Sequence, residues 1–220
     1  MLRYTVKKSL CPLTPGAAPD DAQWQNAVEL AIVTPNGDCT DHLPDTRVKM
    51  LYDDHGIAGV FTNRDRYVIG KSTADQQMVC FDSCDEFFVH PAGDERYYNF
   101  ELSCTGYMLL YHILDKSKKL YEVMPQAELD TIVRHSSLPR RTFPENPDPV
   151  DWYLSFYIPI DFFVRNSHIA LPLAGQVWRA NFTKCADASS HYHWLTWIDL
   201  KTTDFHAPDE FGELYFEDAR

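Results

Sequence analysis

The chain has 220 residues, 45% of them apolar and 14% aromatic, which is material for one domain with a sizeable core. Its formal charge of −12, with no Lys/Arg-rich block to offset it locally, argues against nucleic acid or an anionic membrane as a partner and leaves neutral ligands and cations open. No apolar stretch has the length of a secretory leader or a membrane span, so the sequence as it stands reads as cytoplasmic; a secreted or periplasmic chain separated from its leader would read the same way.

Residues 1–10 alternate like a strand, and a Pro/Gly loop follows from Cys11 to Pro19. Asp20 or Asp21 can cap a short helical turn carrying Trp24 and Ala27, after which Glu29 to Val33 reads as a strand. A hairpin comes next. Val48, Met50 and Tyr52 share one face of its first strand, Asp53-Asp54-His55-Gly56 turns the chain, and Ile57 to Thr62 returns it. Cys84 to His90 and Tyr97 to Cys104 form a second pair around Pro91-Ala92-Gly93-Asp94. In its second strand Tyr98, Phe100 and Leu102 share one face, while Asn99 and Glu101 share the other, so an amide and a carboxylate project from one side of a sheet.

Tyr107 to Leu114 is a further strand. Residues 115–151 lose the pattern and read as an elaborated surface loop with one short helix near Gln126 to Val133. Strand alternation resumes at 152–158 and ends at Pro159, with Val177 to Cys185, Trp194 to Leu200 and Gly212 to Glu217 completing the set. Many short strands divided by turns predict an all-β chain: an antiparallel two-sheet β-sandwich, jelly-roll-like or immunoglobulin-like, with one or two short helices, forming a single domain over residues 1–220. The six cysteines, Cys11, Cys39, Cys80, Cys84, Cys104 and Cys185, include no C-x-x-C pair, and Cys80, Cys84 and Cys104 lie in apolar runs; reduced, buried thiols are expected.

Four features in order resemble the family 9-like carbohydrate-binding modules of the DOMON-like β-sandwich group. They are Trp24, the hairpin 47–54, the run Asp82 to Val89 with Tyr97 to Glu101, and Trp178 to Cys185 with Phe205-His206 and the Pro208 to Gly212 turn. The resemblance implies a module that holds sugar ends between aromatic side chains, is often stabilised by calcium, and takes part in polysaccharide breakdown. The chain departs from that pattern in three places. At 79–81 only Phe81 is aromatic, Phe205 stands where the family has a second stacking Trp, and Glu101 stands where a basic sugar-contacting residue is expected.

A pyranose has C–H groups on its faces and hydroxyls at its rim, so aromatic rings beside amides, guanidinium and carboxylates suit it. The ligand-binding residues expected on this basis are Phe205, His206, Asn181, Arg179, Glu86, Glu101, Trp194 and Phe81. Arg179 and Asn181 alternate with Trp178, Ala180 and Phe182 and so should point away from the core, as should Glu86 if Phe87 faces inward. Trp197 suits core packing better than Trp194. The alternative place for the Phe205 ring is as a plug at the end of the sandwich. No cofactor is required. Calcium is possible, with Asp53, Asp54, Asp82 and Asp85 as oxygen donors, although turn chemistry accounts for the first two as well.

Two other classes stay open. A metal-dependent hydrolase could draw on Cys185, Asp187, His191, His193 and His206, and a glycosidase on Glu86 and Glu101, which need roughly 5–9.5 Å between carboxyls across a cleft. The third class is a protein-interaction module that has lost its sugar site. No G-x-S-x-G supports a serine hydrolase. The sequence points to carbohydrate binding without catalysis; the oligomeric state has no signature in it.

Overall fold

The computed structural model describes residues 1–218. Among these, sixteen strands run in chain order: β1 (Arg3–Lys8), β2 (Glu29–Ile32), β3 (Thr34–Pro35), β4 (Asp45–Tyr52), β5 (Gly56–Asp65), β6 (Val68–Gly70), β7 (Cys84–His90), β8 (Tyr97–Ser103), β9 (Met108–Asp115), β10 (Leu120–Val123), β11 (Val133–Ser136), β12 (Phe143–Asn146), β13 (Val150–Pro159), β14 (Val177–Cys185), β15 (Trp194–Thr196) and β16 (Gly212–Phe216). Two short helices, α1 (Gln126–Leu129) and α2 (Ile160–Ser167), complete the set. Fourteen strands make one curled sheet in the order β10-β9-β8-β7-β14-β16-β1-β4-β5-β13-β11, with β2 beside β4 and with β15 and β3 extending from β14; β6 and β12 form a separate ribbon.

Alternation dictates which side chains meet inside the curl. Phe87 of β7 stacks on Phe182 of β14 (5.2 Å between centroids, 11° between planes) and on Phe100 of β8 (5.9 Å, 23°). It also stacks on Phe156 of β13, in the opposite limb, at 5.8 Å. The two limbs therefore face one another over a common aromatic core, an arrangement consistent with a β-sandwich. Trp197 joins this core against Tyr4 and Phe182, as expected for it. At one edge the core admits charge: Lys184, fully buried, sends its Nζ to within 3.6 Å of Asp65 and lies 5.5 Å from the centre of the Trp152 ring.

Three expectations need correction. The sheet is not wholly antiparallel: β1 runs parallel to β16 through residues 3–6 and parallel to β4 through residues 7–8, carrying the sheet from one limb to the other. Tight turns enforce antiparallel neighbours, and no tight turn joins β1 to either partner. The segment 115–151 is more than a loop, because β10 and β11 add four-residue edges to β9 and β13, and β12 pairs with β6. Four residues are too few for a two-residue period to stand out. Pro159 does end β13, but α2 follows at once, buries Ile160, and packs Phe162 and Phe163 against Tyr98, and Phe163 also against Trp178. Likewise the strand expected over 194–200 stops at Thr196. No helix among the described residues is long and apolar enough to cross a membrane.

Candidate functional site

The parity that sends Phe87, Tyr98, Phe100, Leu110 and Phe182 inward sends Glu86, Phe88, Asn99, Glu101, Tyr111, Asn181 and Thr183 to the outer face of β9-β8-β7-β14. Loops fold over that face and leave a cavity of about 280 Å³, near the lower edge of small-molecule sites. Five of the residues expected from the sequence line it: Glu86, Glu101, Trp194, Phe205 and His206. Met78 and Cys80 form one wall, Asn99 and Tyr111 belong to the floor, and Lys116, Thr203 and Asp204 stand around the opening.

The aromatic wall is held from beneath. Phe88 presents its ring in edge contact with Phe205 (6.3 Å, 72°) and with His206 (5.3 Å, 83°), leaving Phe205 half-buried, not sealed inside. The Asp204 carboxylate accepts the His206 N–H at 2.9 Å, and His206 Nδ1 bonds the Tyr97 hydroxyl at 3.0 Å. Burial pushes the imidazole down to about 4, with the nearby Lys116 charge adding to the effect, so the ring is neutral at pH 7. On the other side the Trp194 indole N–H donates to Asp187 at 2.7 Å.

Glu86 and Glu101 stand directly opposite each other on β7 and β8, and both are buried. Glu86 accepts from the Thr183 hydroxyl (2.8 Å) and the Cys185 thiol (3.4 Å), and Glu101 accepts from the Asn99 amide (2.9 Å). The Asn99 carbonyl oxygen is buried with no partner. Burial raises both carboxyl groups above the ordinary range, Glu86 to about 7; for Glu101 the neighbouring Glu86 adds to the effect. The two project side by side from one sheet face, so no glycosidic bond fits between them as it does between carboxyls facing across a cleft.

Three of the expected ligand residues do not line the cavity. Asn181 points outward as its alternation requires, but its amide donates to Thr196 Oγ1 (2.8 Å) and its carbonyl accepts from the Phe182 and Ile198 N–H groups. Arg179 donates to the Phe211 and Asp209 carbonyls. Both fasten the loops that cover the face. Phe81 ends a single tight turn, Val79–Phe81, whose successive side chains point about 120° apart; Val79 goes inward, Cys80 to the cavity and Phe81 into solvent.

The aspartates expected to hold calcium do not assemble. Asp53 accepts the N–H groups of Leu13, His55 and Gly56, Asp54 pairs with Lys8 at the surface, Asp82 accepts from Lys71 and Ser72, and Asp85 faces inward to Asn63. Nor do the residues of a zinc hydrolase: His191 stacks on Tyr67, His193 bonds the His191 carbonyl and His206 bonds Tyr97. The grouping that does form is Cys84, Glu86 and Cys185, with donor atoms within 4.8 Å of one another. It supplies three donors where zinc takes four, and burial helps to push both thiols well above their usual range, the Cys185 thiol chiefly through its hydrogen bond with Cys84. All six cysteines are free; Cys84, Cys104 and Cys185 are buried, while Cys80 is half-buried at the cavity wall.

Of the lining residues outside the expected ligand set, Asn99 projects beside Glu101 as the alternation of its strand predicts, and Tyr111 falls on the outward parity of β9. Lys116, Thr203 and Asp204 lie in turns and carry no such signal. A larger depression of about 600 Å³ lies on the other limb, but Arg47 there pairs with Asp45 and Glu29, so its charge is already met.

A curled β-sheet with a small cavity on its outer face, walled by aromatic rings and floored by amide and carboxyl groups, defines a binding module. The sequence pattern of carbohydrate-binding family 9 matches residues 21–216, and the chain belongs to that family. It is similar to a crystal structure of a Bacteroides uniformis protein thought to bind carbohydrate, with 29% identity, a TM-score of 0.87, and coverage of 98% of this chain and 99% of that one. Two structures of a family 9 module from Caldicellulosiruptor kristjanssonii share the fold at 13% identity. The first, in complex with glucose, has a TM-score of 0.65 and covers 100% of this chain and 97% of that one. The second, in complex with cellotriose, has a TM-score of 0.64 and covers 100% and 95%. No curated protein matches the chain.

Proposed function

We propose that the chain binds carbohydrate without altering it, holding a sugar ring in the cavity between Trp194 and the Phe205-His206 corner. The observation that carries this is the floor: Asn99 keeps a buried carbonyl oxygen without a donor, beside two carboxyl groups and under half-buried aromatic rings. Rings remove the C–H face of a sugar from water, and the floor supplies acceptors for its hydroxyls. Family membership and the glucose and cellotriose held by the structural neighbours support the reading. A second depression of about 540 Å³ adjoins the first and shares Trp194 and Thr203 with it. Tyr192 lies there beside Trp194, at 5.4 Å between centroids, so a second sugar unit has a place to rest. We read the curled sheet as a jelly-roll-like sandwich of one domain, because a single core cluster draws on both limbs.

The test is calorimetric titration of the full chain with mono- and oligosaccharides, with and without calcium. Loss of one stacking ring in Phe205→Ala or Trp194→Ala should weaken binding about 2- to 13-fold, the equivalent of about 0.5–1.5 kcal/mol. No saturable binding to any saccharide would leave a protein-interaction module as the better account.

A further inference from the structure

Five acidic residues are buried as a whole among the described residues: Asp65, Asp82, Asp85, Glu86 and Glu101. Asp65 and Asp82 are compensated and Asp85 in part, since burial still raises it to about 7. Asp65 pairs with Lys184 and His42, Asp85 accepts from Asn63 near the same Lys184 charge, and Asp82 accepts two backbone N–H groups and the Ser103 hydroxyl. Glu86 and Glu101 have no ion-pair partner and no backbone N–H; their hydrogen-bond partners are a hydroxyl, a thiol and an amide, and Lys184 acts on Glu86 and Lys116 on Glu101 only from beyond ion-pair distance. They lie opposite each other on adjacent strands, and both line the cavity. Lys116 lines it too, but its Nζ sits over the rings of Tyr111 and Tyr121, at 4.1 and 4.4 Å, and forms an ion pair with neither carboxylate.

Two neighbouring buried carboxyl groups cannot both ionise unless positive charge arrives between them. The cavity mouth is the side from which it can come. We propose that the ligand of this site is an amino sugar, whose ammonium group is received between Glu86 and Glu101. This rests on the carbohydrate reading and narrows it. A neutral sugar carries no charge to draw the pair into its ionised form, and a uronic acid adds a third carboxylate to it.

Binding is coupled to protons, because burial holds these carboxyl groups in protonated form towards neutral pH. The groups facing the pair are Cys84 on β7, Cys185 on β14, Tyr111 on β9, and Cys80, Lys116, Asp187, Asp204 and His206 on the turns and loops. Burial helps to keep the Cys80, Cys84 and Cys185 thiols and the Tyr111 hydroxyl protonated, and His206 is neutral. Lys116, held off on its two tyrosines, and Lys184, buried beside Asp65 and acting on Glu86 from there, are the cations near the pair, against the two acidic side chains of Asp187 and Asp204.

The experiment titrates the full chain at pH 6.5 with glucosamine, its β-1,4-linked dimer, glucose, N-acetylglucosamine and glucuronate, each in two buffers of different ionisation enthalpy. Glucosamine should bind about tenfold or more tighter than glucose or N-acetylglucosamine, the factor a charge-assisted hydrogen bond supplies, with release of protons to the buffer. Glu101→Gln should bring glucosamine down to the affinity of glucose. If that variant does not fold, Glu86→Gln and the proton release of the unaltered chain carry the test. Equal affinity for glucose and glucosamine, or a preference that survives in the variant, overturns the proposal while carbohydrate binding stands. Calcium that displaces glucosamine competitively also overturns it, making the pair a metal site. If no saccharide binds at all, the carbohydrate reading itself falls.

Discussion

Lys184→Met is the perturbation whose consequences follow most directly from the structure. The Lys184 side chain is fully buried between the limbs; its Nζ lies 3.6 Å from Asp65 and donates to the Cys185 carbonyl at 3.1 Å. Methionine keeps the stem and removes the charge, leaving Asp85 without its cation and Asp65 with the His42 imidazole alone. Breaking a buried pair from one side costs about 3–5 kcal/mol. For a chain of this size each kcal/mol shifts Tm by about 2–4 °C, so a fall of about 6–20 °C is expected. The sign of the pH dependence is set by Asp65. Burial alone would raise its carboxyl, but Lys184 and His42 outweigh that and hold it below the ordinary value. In the native protein that stability is present above the unfolded-state value and is lost as pH falls through the folded one. Without Lys184 both aspartates take up protons in the folded state, so the variant is weakest at pH 8 and recovers toward pH 4. Urea unfolding and thermal melts followed by circular dichroism at both pH values measure the gap. A variant as stable as the parent at pH 8, or a deficit that widens on acidification, would refute the reasoning. Adding Asp65→Asn to Lys184→Met should restore part of the loss.

Two further outcomes follow from the same contacts. Burial raises Asp85 to about 7, so its contribution is present at pH 4 and lost as pH climbs to 7, at up to about 1.4 kcal/mol per pH unit; Asp85→Asn should flatten the slope of urea-derived stability over that range. Arg179→Met removes the donors that hold the Asp209 and Phe211 carbonyls, so hydrogen exchange should accelerate across 205–211 while β7 keeps its protection; equal acceleration in β7 would assign Arg179 to the core instead.

Much of the site's floor was legible because strand geometry is local. Once residues 84–90, 97–103 and 177–185 are strands, a period of two sends Phe87, Phe100 and Phe182 one way and Glu86, Glu101 and Asn181 the other, whatever the rest of the chain does. The Asp53 turn and the helical turn capped by Asp21 were readable for the same reason, since each closes on its own backbone within three residues.

What lies over the outward face is decided elsewhere. Asn181 and Glu86 leave the sheet on the same side, yet one is consumed by Thr196 and Ile198 and the other reaches a cavity, because the 186–211 segment settles over β14. Lys116 reaches the cavity that Glu101 lines only through the turn after β9, and β1 lies parallel to β16 across more than 200 residues of chain. The sequence by itself determined which side chains could serve the site. Only the tertiary structure decided which of them do, because alternation acts between neighbours along the chain, whereas burial and pairing depend on segments far apart in it.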